Sequence, residues 1–238
     1  MRSDLGRVLS GTGTRSVRVR RALLAVALVL VTSGGASACG SDTEESFVGA
    51  DEVCGGVFDG PVHKTVESVM GSKSLYRTPS NGMDRVIEAI KDGYALGRNW
   101  APGAELCSLL AKGAVTRDAT TISFHIYDPR DVSDPEASNG GRLYRMGTLS
   151  EGNPRAAVIF FECVSPQLKG SKDHPARIGG ELLNTKVRAG DPLAHSDDNL
   201  TVMHAVSLAV AKKLQCRDNG GLPDKPDLRP KEGQPRKA

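Results

Sequence analysis

Five histidines and five cysteines stand among these 238 residues. The histidines are His63, His125, His174, His195 and His204. His63 and Glu67 stand four apart, so one helical face presents both. Two ligands do not make a metal site, and a solvated i,i+4 pair is the plainer use of that spacing. His125 alternates with Tyr127 along a strand pattern and projects with it from the wetter face, where a ligand can lie. These two residues form the candidate ligand face, although a half-exposed sheet histidine with no visible acid or base partner explains His125 as well. Just after them, Asp128, Asp131, Asp134 and Glu136 gather carboxylates in one loop and are the calcium candidates. Their spacing is not that of an EF-hand, the position-six glycine is missing and Arg130 sits in the middle, so a solvated loop is the stronger reading.

The motifs of common enzyme classes are missing. There is no H-E-x-x-H, no P-loop and no dinucleotide fingerprint. Gly147-Thr148-Leu149-Ser150-Glu151-Gly152 places its serine one position too late for a nucleophile elbow. No cofactor is implied and no catalytic residue is assigned. A hydrolase would need a triad assembled from distant Ser, His and Asp residues.

The cysteines carry an address. Residues 1–38 hold six arginines (Arg2, Arg7, Arg15, Arg18, Arg20, Arg21) and one acid, Asp4. An uncharged run from Ala22 to Val31 follows, then small residues ending Ala36-Ser37-Ala38 before Cys39. A positive region, an apolar region and an A-x-A site in that order make a secretory signal peptide. The apolar run is too short to span a bilayer, which takes about 20 residues. Ala36-Ser37-Ala38-Cys39 also resembles a bacterial lipobox, with Ala36 where leucine is usual. That reading makes Cys39 the lipidated N-terminus at the outer face of the cytoplasmic membrane; plain secretion is the alternative. Arg20-Arg21 ahead of Ala22-Leu23-Leu24 resembles a twin-arginine signal, and the export route stays open. Lipidation of Cys39 leaves Cys54, Cys107, Cys163 and Cys216, an even number for two bridges in an oxidising compartment. Four cysteines allow three pairings, and the sequence does not choose among them. If the last helix packs on the strand face that holds Ile159, Phe161 and Cys163, then Cys163 meets Cys216 and Cys54 is left for Cys107.

Removing the leader takes six of the 31 Lys+Arg and one of the 28 Asp+Glu, which leaves a net charge of about −2. The basic balance therefore belongs to the leader, and nothing in the mature chain argues for nucleic acid. Residues 39–50 read as a flexible acidic tether and residues 218–238, rich in Pro, Gly and charge, as a disordered tail. Between them, residues 51–217 suit a single core.

The elements that must position these residues follow from periodicity. Asp59 caps a helix that carries Val62, Val66 and Val69 and stops at Gly71. Ser80 or Asn81 caps a second, with Met83, Val86, Ile87 and Ile90 inward. Ala104–Leu110 fits a strand or a helical turn. Strands are predicted over 120–128, 142–149, 156–164 and 181–188, the third apolar on both faces and so central. In the last, Leu183, Thr185 and Val187 share one face and Asn184, Lys186 and Arg188 the other. Asp197, Asp198 or Asn199 caps a final helix with Leu200, Met203, Val206, Val210 and Leu214 inward. The fold class is α+β: an antiparallel sheet of four to five strands with helices packed on it, braced by two disulfides.

The leader, Cys39, Cys54-Gly55-Gly56, Phe161-Glu162-Cys163 and Leu214-Gln215-Cys216 together resemble uncharacterised actinobacterial, Streptomyces-like secreted lipoproteins. The resemblance implies an envelope lipoprotein of this architecture and brings no catalytic residues. Three roles are compatible with it. The first is a binding or interaction module, with the His125–Tyr127 face or a helix–sheet groove as its site and a small ligand or an envelope protein as its partner. The second is a hydrolase. The third is a structural partner in an envelope complex, which requires a large exposed apolar patch.

Overall fold

The structure is a computed structural model and describes residues 47–133, 141–186 and 188–231. The leader, Cys39, Asp134 and Glu136 lie outside the described residues. Eight strands and three helices follow in chain order: β1 (Phe47–Val48), α1 (Val62–Met70), β2 (Leu75–Tyr76), α2 (Gly82–Ala95), β3 (Ala101–Leu109), β4 (Thr120–Ile126), β5 (Arg142–Tyr144), β6 (Leu149–Gly152), β7 (Ala156–Cys163), β8 (Ala176–Asn184) and α3 (Pro192–Lys213). Six strands form one sheet in the order β3-β4-β8-β7-β6-β5, and every neighbouring pair is antiparallel. β1 and β2 form a separate antiparallel ribbon. The α+β expectation holds, with more strands than predicted.

The alternation along β4 decides the layers. Ile122, Phe124 and Ile126 point into the core, beside Ile178 and Leu182 of β8 and Ile159 and Phe161 of β7. α2 covers this face over β3 and β4, while α3 covers it over β6, β7 and β8. α1 packs on α3. With the sheet on one side and α1 on the other, α3 buries more than one stripe. Leu200, Met203, Val206, Val210 and Leu214 are buried as expected, and so are Val202, His204, Ser207 and Leu208. Each fully buried aliphatic contributes about 1.5–3 kcal/mol.

Several boundaries move for identifiable reasons. α1 starts at Val62 behind Pro61, while the Asp59 carboxylate is taken by the Gly60 N–H at 2.8 Å. Gly71 ends it as expected, in the left-handed conformation with φ 61°. α2 runs through Asp92-Gly93, because Gly93 packs where a Cβ would lie 2.9 Å from that of Ala101. The range 142–149 divides into β5 and β6. α3 begins two turns before the expected caps: Asp191 accepts from the Leu193 N–H at 2.9 Å, and Pro192 starts the helix. Asp197, Asp198 and Asn199 instead tie α3 to other parts of the fold. Tyr144 Oη donates to Asp197 at 2.9 Å, Arg188 pairs with Asp198 at 3.0 Å, and Asn184 Nδ2 donates to Asn199 Oδ1 at 2.8 Å.

The largest correction concerns β8. It starts at Ala176, and its inward set is Ile178, Gly180, Leu182 and Asn184, which leaves Leu183 exposed. The strand ends at Asn184, short of the expected Arg188, while Leu183 and Asn184 lie on opposite faces as expected. Gly179 and Gly180 at its centre hide the alternation, because neighbours supply the missing volume. The His125 ring lies over Gly179, where a Cβ would stand 2.7 Å from its Nε2. Phe124 and Met203 close over Gly180 in the same way. The buried Asn184 amide is satisfied by Thr120 Oγ1 at 2.7 Å and by Asn199, whose Nδ2 reaches the Asn153 carbonyl at 3.0 Å.

Both ends of the domain differ from expectation. Phe47 and Val48, within the predicted 39–50 tether, pair with Tyr76 and Leu75, and Val48 and Ala50 are buried. Residues 218–231 of the predicted tail are a packed strap. Arg217 N donates to the Val164 carbonyl at 2.8 Å, Leu222 is buried, Pro230 bridges Tyr144, and Lys231 N donates to the Leu143 carbonyl at 2.8 Å. Composition misleads here because the strap is held by main-chain bonds, by Leu222 and Leu228 against the core, and by the Cys163–Cys216 bridge at its root. Asp218, Asn219, Gly220 and Gly221 all have positive φ and form a left-handed turn. Only glycine fits at 220, where a Cβ would lie 2.7 Å from Phe161 Cδ2.

Candidate functional site

Three sequence-derived candidates resolve differently. Cys54 is bonded to Cys107 and Cys163 to Cys216, each across 53 residues. This is the pairing expected if α3 packs on the inward face of β7, and it does.

The His125–Tyr127 face is not an open site. Tyr127 is almost fully buried at the end of the sheet, with its ring 5.0 Å from that of Phe160. Burial pushes its phenol pKa up. His125 is half-buried, edge-on to Phe160 with ring centres 6.3 Å apart. Burial pulls its pKa down, and the carboxylates of Glu181 and Asp131 only partly oppose this. His125 and Tyr127 share a face as expected, the face opposite Phe124 and Ile159, and both rings pack on Phe160 there.

Of the calcium candidates, the two described residues, Asp128 and Asp131, are committed to protein partners. Asp128 accepts from Arg130 N, Nε and NH2 at 3.0, 2.9 and 3.1 Å, and Asp131 Oδ2 accepts from Asp128 N at 3.0 Å. The arginine and the turn amides hold the Asp128 pKa down at about 2. A cation would have to displace Arg130, so the pair Asp128/Asp131 is a turn cap and not a cation cradle. Among the described residues, no group of three His, Cys, Asp or Glu could hold a metal ion.

Among the described residues, no histidine is recorded between a serine and a carboxylate. His63 Nδ1 bonds the Gly60 carbonyl and His204 Nε2 the Pro223 carbonyl. Ser68 Oγ does donate to Asp198 Oδ2 at 2.8 Å, but the third member is Arg188, and only the backbone carbonyl of His195 joins them. That arrangement is an ion-pair brace between α1 and α3.

What the sequence did not reveal is a groove of about 460 Å3 between α1, α3 and the strap. Such a volume is in the range of small-ligand sites. Its floor is a three-turn stretch of α3 carrying Thr201, Ala205, Leu208, Ala209 and Lys212. One wall is Pro61, Val62 and Thr65, and the other is Asp224, Lys225 and Pro226 of the strap. His204 fixes the second wall: its Nε2 donates to the Pro223 carbonyl at 2.8 Å. Burial lowers the His204 pKa, while Pro223 and Asp224 raise it against that. The only sequence signal was His204 itself, off the predicted α3 stripe. Its partner lay in a segment that composition assigned to disorder. A second hollow, about 350 Å3, is rimmed by Asp84, Glu88, Lys91, Asp92 and Lys213, and an ion pair of 3.6 Å between Lys213 and Asp84 crosses it.

No family model, curated protein or solved structure matches this chain. Among the described residues, no helix is long and apolar enough to cross a membrane.

Proposed function

We propose that the chain is a lipid-anchored module on the outer face of the cytoplasmic membrane, which binds a small ligand or an envelope protein. The groove between α1, α3 and the strap carries the binding half of this reading. It is concave, mixes apolar floor with a few convergent polar groups, and has one wall pinned by a buried histidine. The cysteines support the anchoring half. With Cys54, Cys107, Cys163 and Cys216 spent in two bridges, Cys39 is the odd one. It stands where the leader's A-x-A site would make it the first mature residue. The hydrolase reading ranks below this one, since it needs a histidine between a serine and a carboxylate.

Three measurements test the reading. The intact mass of the protein extracted from its native membrane should equal a chain starting at Cys39 plus a diacylglyceryl group, rising by four protons on reduction. Cys39→Ser should release the protein, and membrane retention of that variant with an uncut leader would defeat the anchor. For the groove, native mass spectrometry should find a co-purifying ligand on the wild type that Ala209→Trp has lost. An equal load on both would place binding elsewhere.

A further inference from the structure

We infer that the groove takes a short extended peptide of about five residues, without net charge, whose side chains against the floor are small and apolar. The inference rests on the groove's being a binding site and names the class of its ligand.

Length is the first argument. The floor runs from Thr201 to Lys212, eleven residues along one helix, or about 16 Å at 1.5 Å per residue. An extended chain advances about 3.3 Å per residue, so about five residues match it. The floor is the second. Ala205 and Ala209 lie on successive turns and present only methyl groups, so a main chain can approach α3 closely. Charge is the third. Ser68 of α1 bonds Asp198 of α3, so the two helices run antiparallel and Asp59 falls near the Lys212 end. The strap runs back along α3 from Cys216, past His204 at Pro223, to Tyr144 at Pro230. Asp224 and Lys225 therefore stand at the other end. Each end holds one acid and one lysine, their fields cancel, and a polyanion or polycation gains nothing by steering.

A hydrocarbon chain of the same length fits less well. Most of the exposed lining is apolar, but seven of its fourteen residues carry a polar or charged group, among them Thr65, Thr201 and the four end charges. An alkyl chain would cover these groups without bonding them, which costs free energy, whereas peptide N–H and C=O groups can pair with them. The strap wall has the same bias. Pro223 and Pro226 lack N–H groups, so Asp224 and Lys225 between them carry the main-chain donors of that wall.

The test is an NMR titration of the mature chain with an acetylated and amidated Ala-Val-Ala-Val-Ala peptide, and in parallel with dodecanoate. The peptide should move the signals of Thr65, Thr201, Ala205 and Ala209 saturably. Ala205→Trp on the floor and Thr65→Trp on the facing wall should each weaken it at least about tenfold. Floor and wall are both used so that one misfolded variant, recognised by its dispersion, leaves the other informative. If dodecanoate saturates these residues and the peptide does not, the ligand class is wrong and the groove remains a binding site. If neither probe moves them, or both Trp variants bind the peptide as the wild type does, this inference and the groove reading fall together.

Discussion

Removing the Cys54–Cys107 bridge should cost this domain about 4 kcal/mol. The two cysteines are 53 residues apart, and closing a loop of that length removes about 14 cal/mol/K of chain entropy from the unfolded state, or about 4 kcal/mol at 25 °C. The Cys163–Cys216 loop has the same length. Residues 54–107 and 163–216 do not overlap, so each bridge constrains a different part of the unfolded chain and the losses should add. Losing both would remove about 8 kcal/mol, comparable with the 5–15 kcal/mol that a whole domain has to spend. The Cys54→Ala/Cys107→Ala and Cys163→Ala/Cys216→Ala pairs should each lower the midpoint by about 8–16 °C in a domain of this size. The quadruple variant should be largely unfolded at 37 °C. Urea unfolding of the wild type and the three variants, followed by circular dichroism, measures all four species. A loss below about 1 kcal/mol for either pair, or a quadruple variant no weaker than the pairs, would refute the argument from loop entropy.

Gly82→Ala should destabilise the fold by more than about 2 kcal/mol, because its Cβ would lie 1.7 Å from the main-chain oxygen of Leu106; equal unfolding midpoints would contradict that packing. Stability should fall as pH drops from 7 to 5, since burial lowers the pKa of His125 and His204 below the unfolded value near 6.5 and the unfolded chain then binds more protons. The contribution is complete above the unfolded pKa and shrinks as pH falls toward the folded one. His204→Gln should flatten the slope in urea titrations at several pH values, and an unchanged slope would leave His204 out of it. The Asp128 carboxyl should titrate at about 2 by NMR and return toward the usual carboxylate range in Arg130→Ala, while millimolar calcium leaves it unmoved; a calcium-induced shift would reinstate the cation site.

Local patterns were legible where one face met one layer. The alternation of Ile122, Phe124 and Ile126, the α3 stripe from Leu200 to Leu214 and the αL stop at Gly71 each depend on short-range geometry, so the sequence alone placed them. The even number of cysteines after Cys39 is likewise a property of the chain order, and the four form two bridges. Three matters were decided only by the tertiary structure. Gly179 and Gly180 make a strand because His125, Phe124 and Met203 reach across from elsewhere to fill the space. Asp197, Asp198 and Asn199 look like helix caps and act as anchors, since α3 had already started at Asp191. The groove exists because a hydrophilic strap, tied at Cys216, returns along α3 and meets His204. Its walls come from chain segments about 160 residues apart in sequence, and no local periodicity records that they meet.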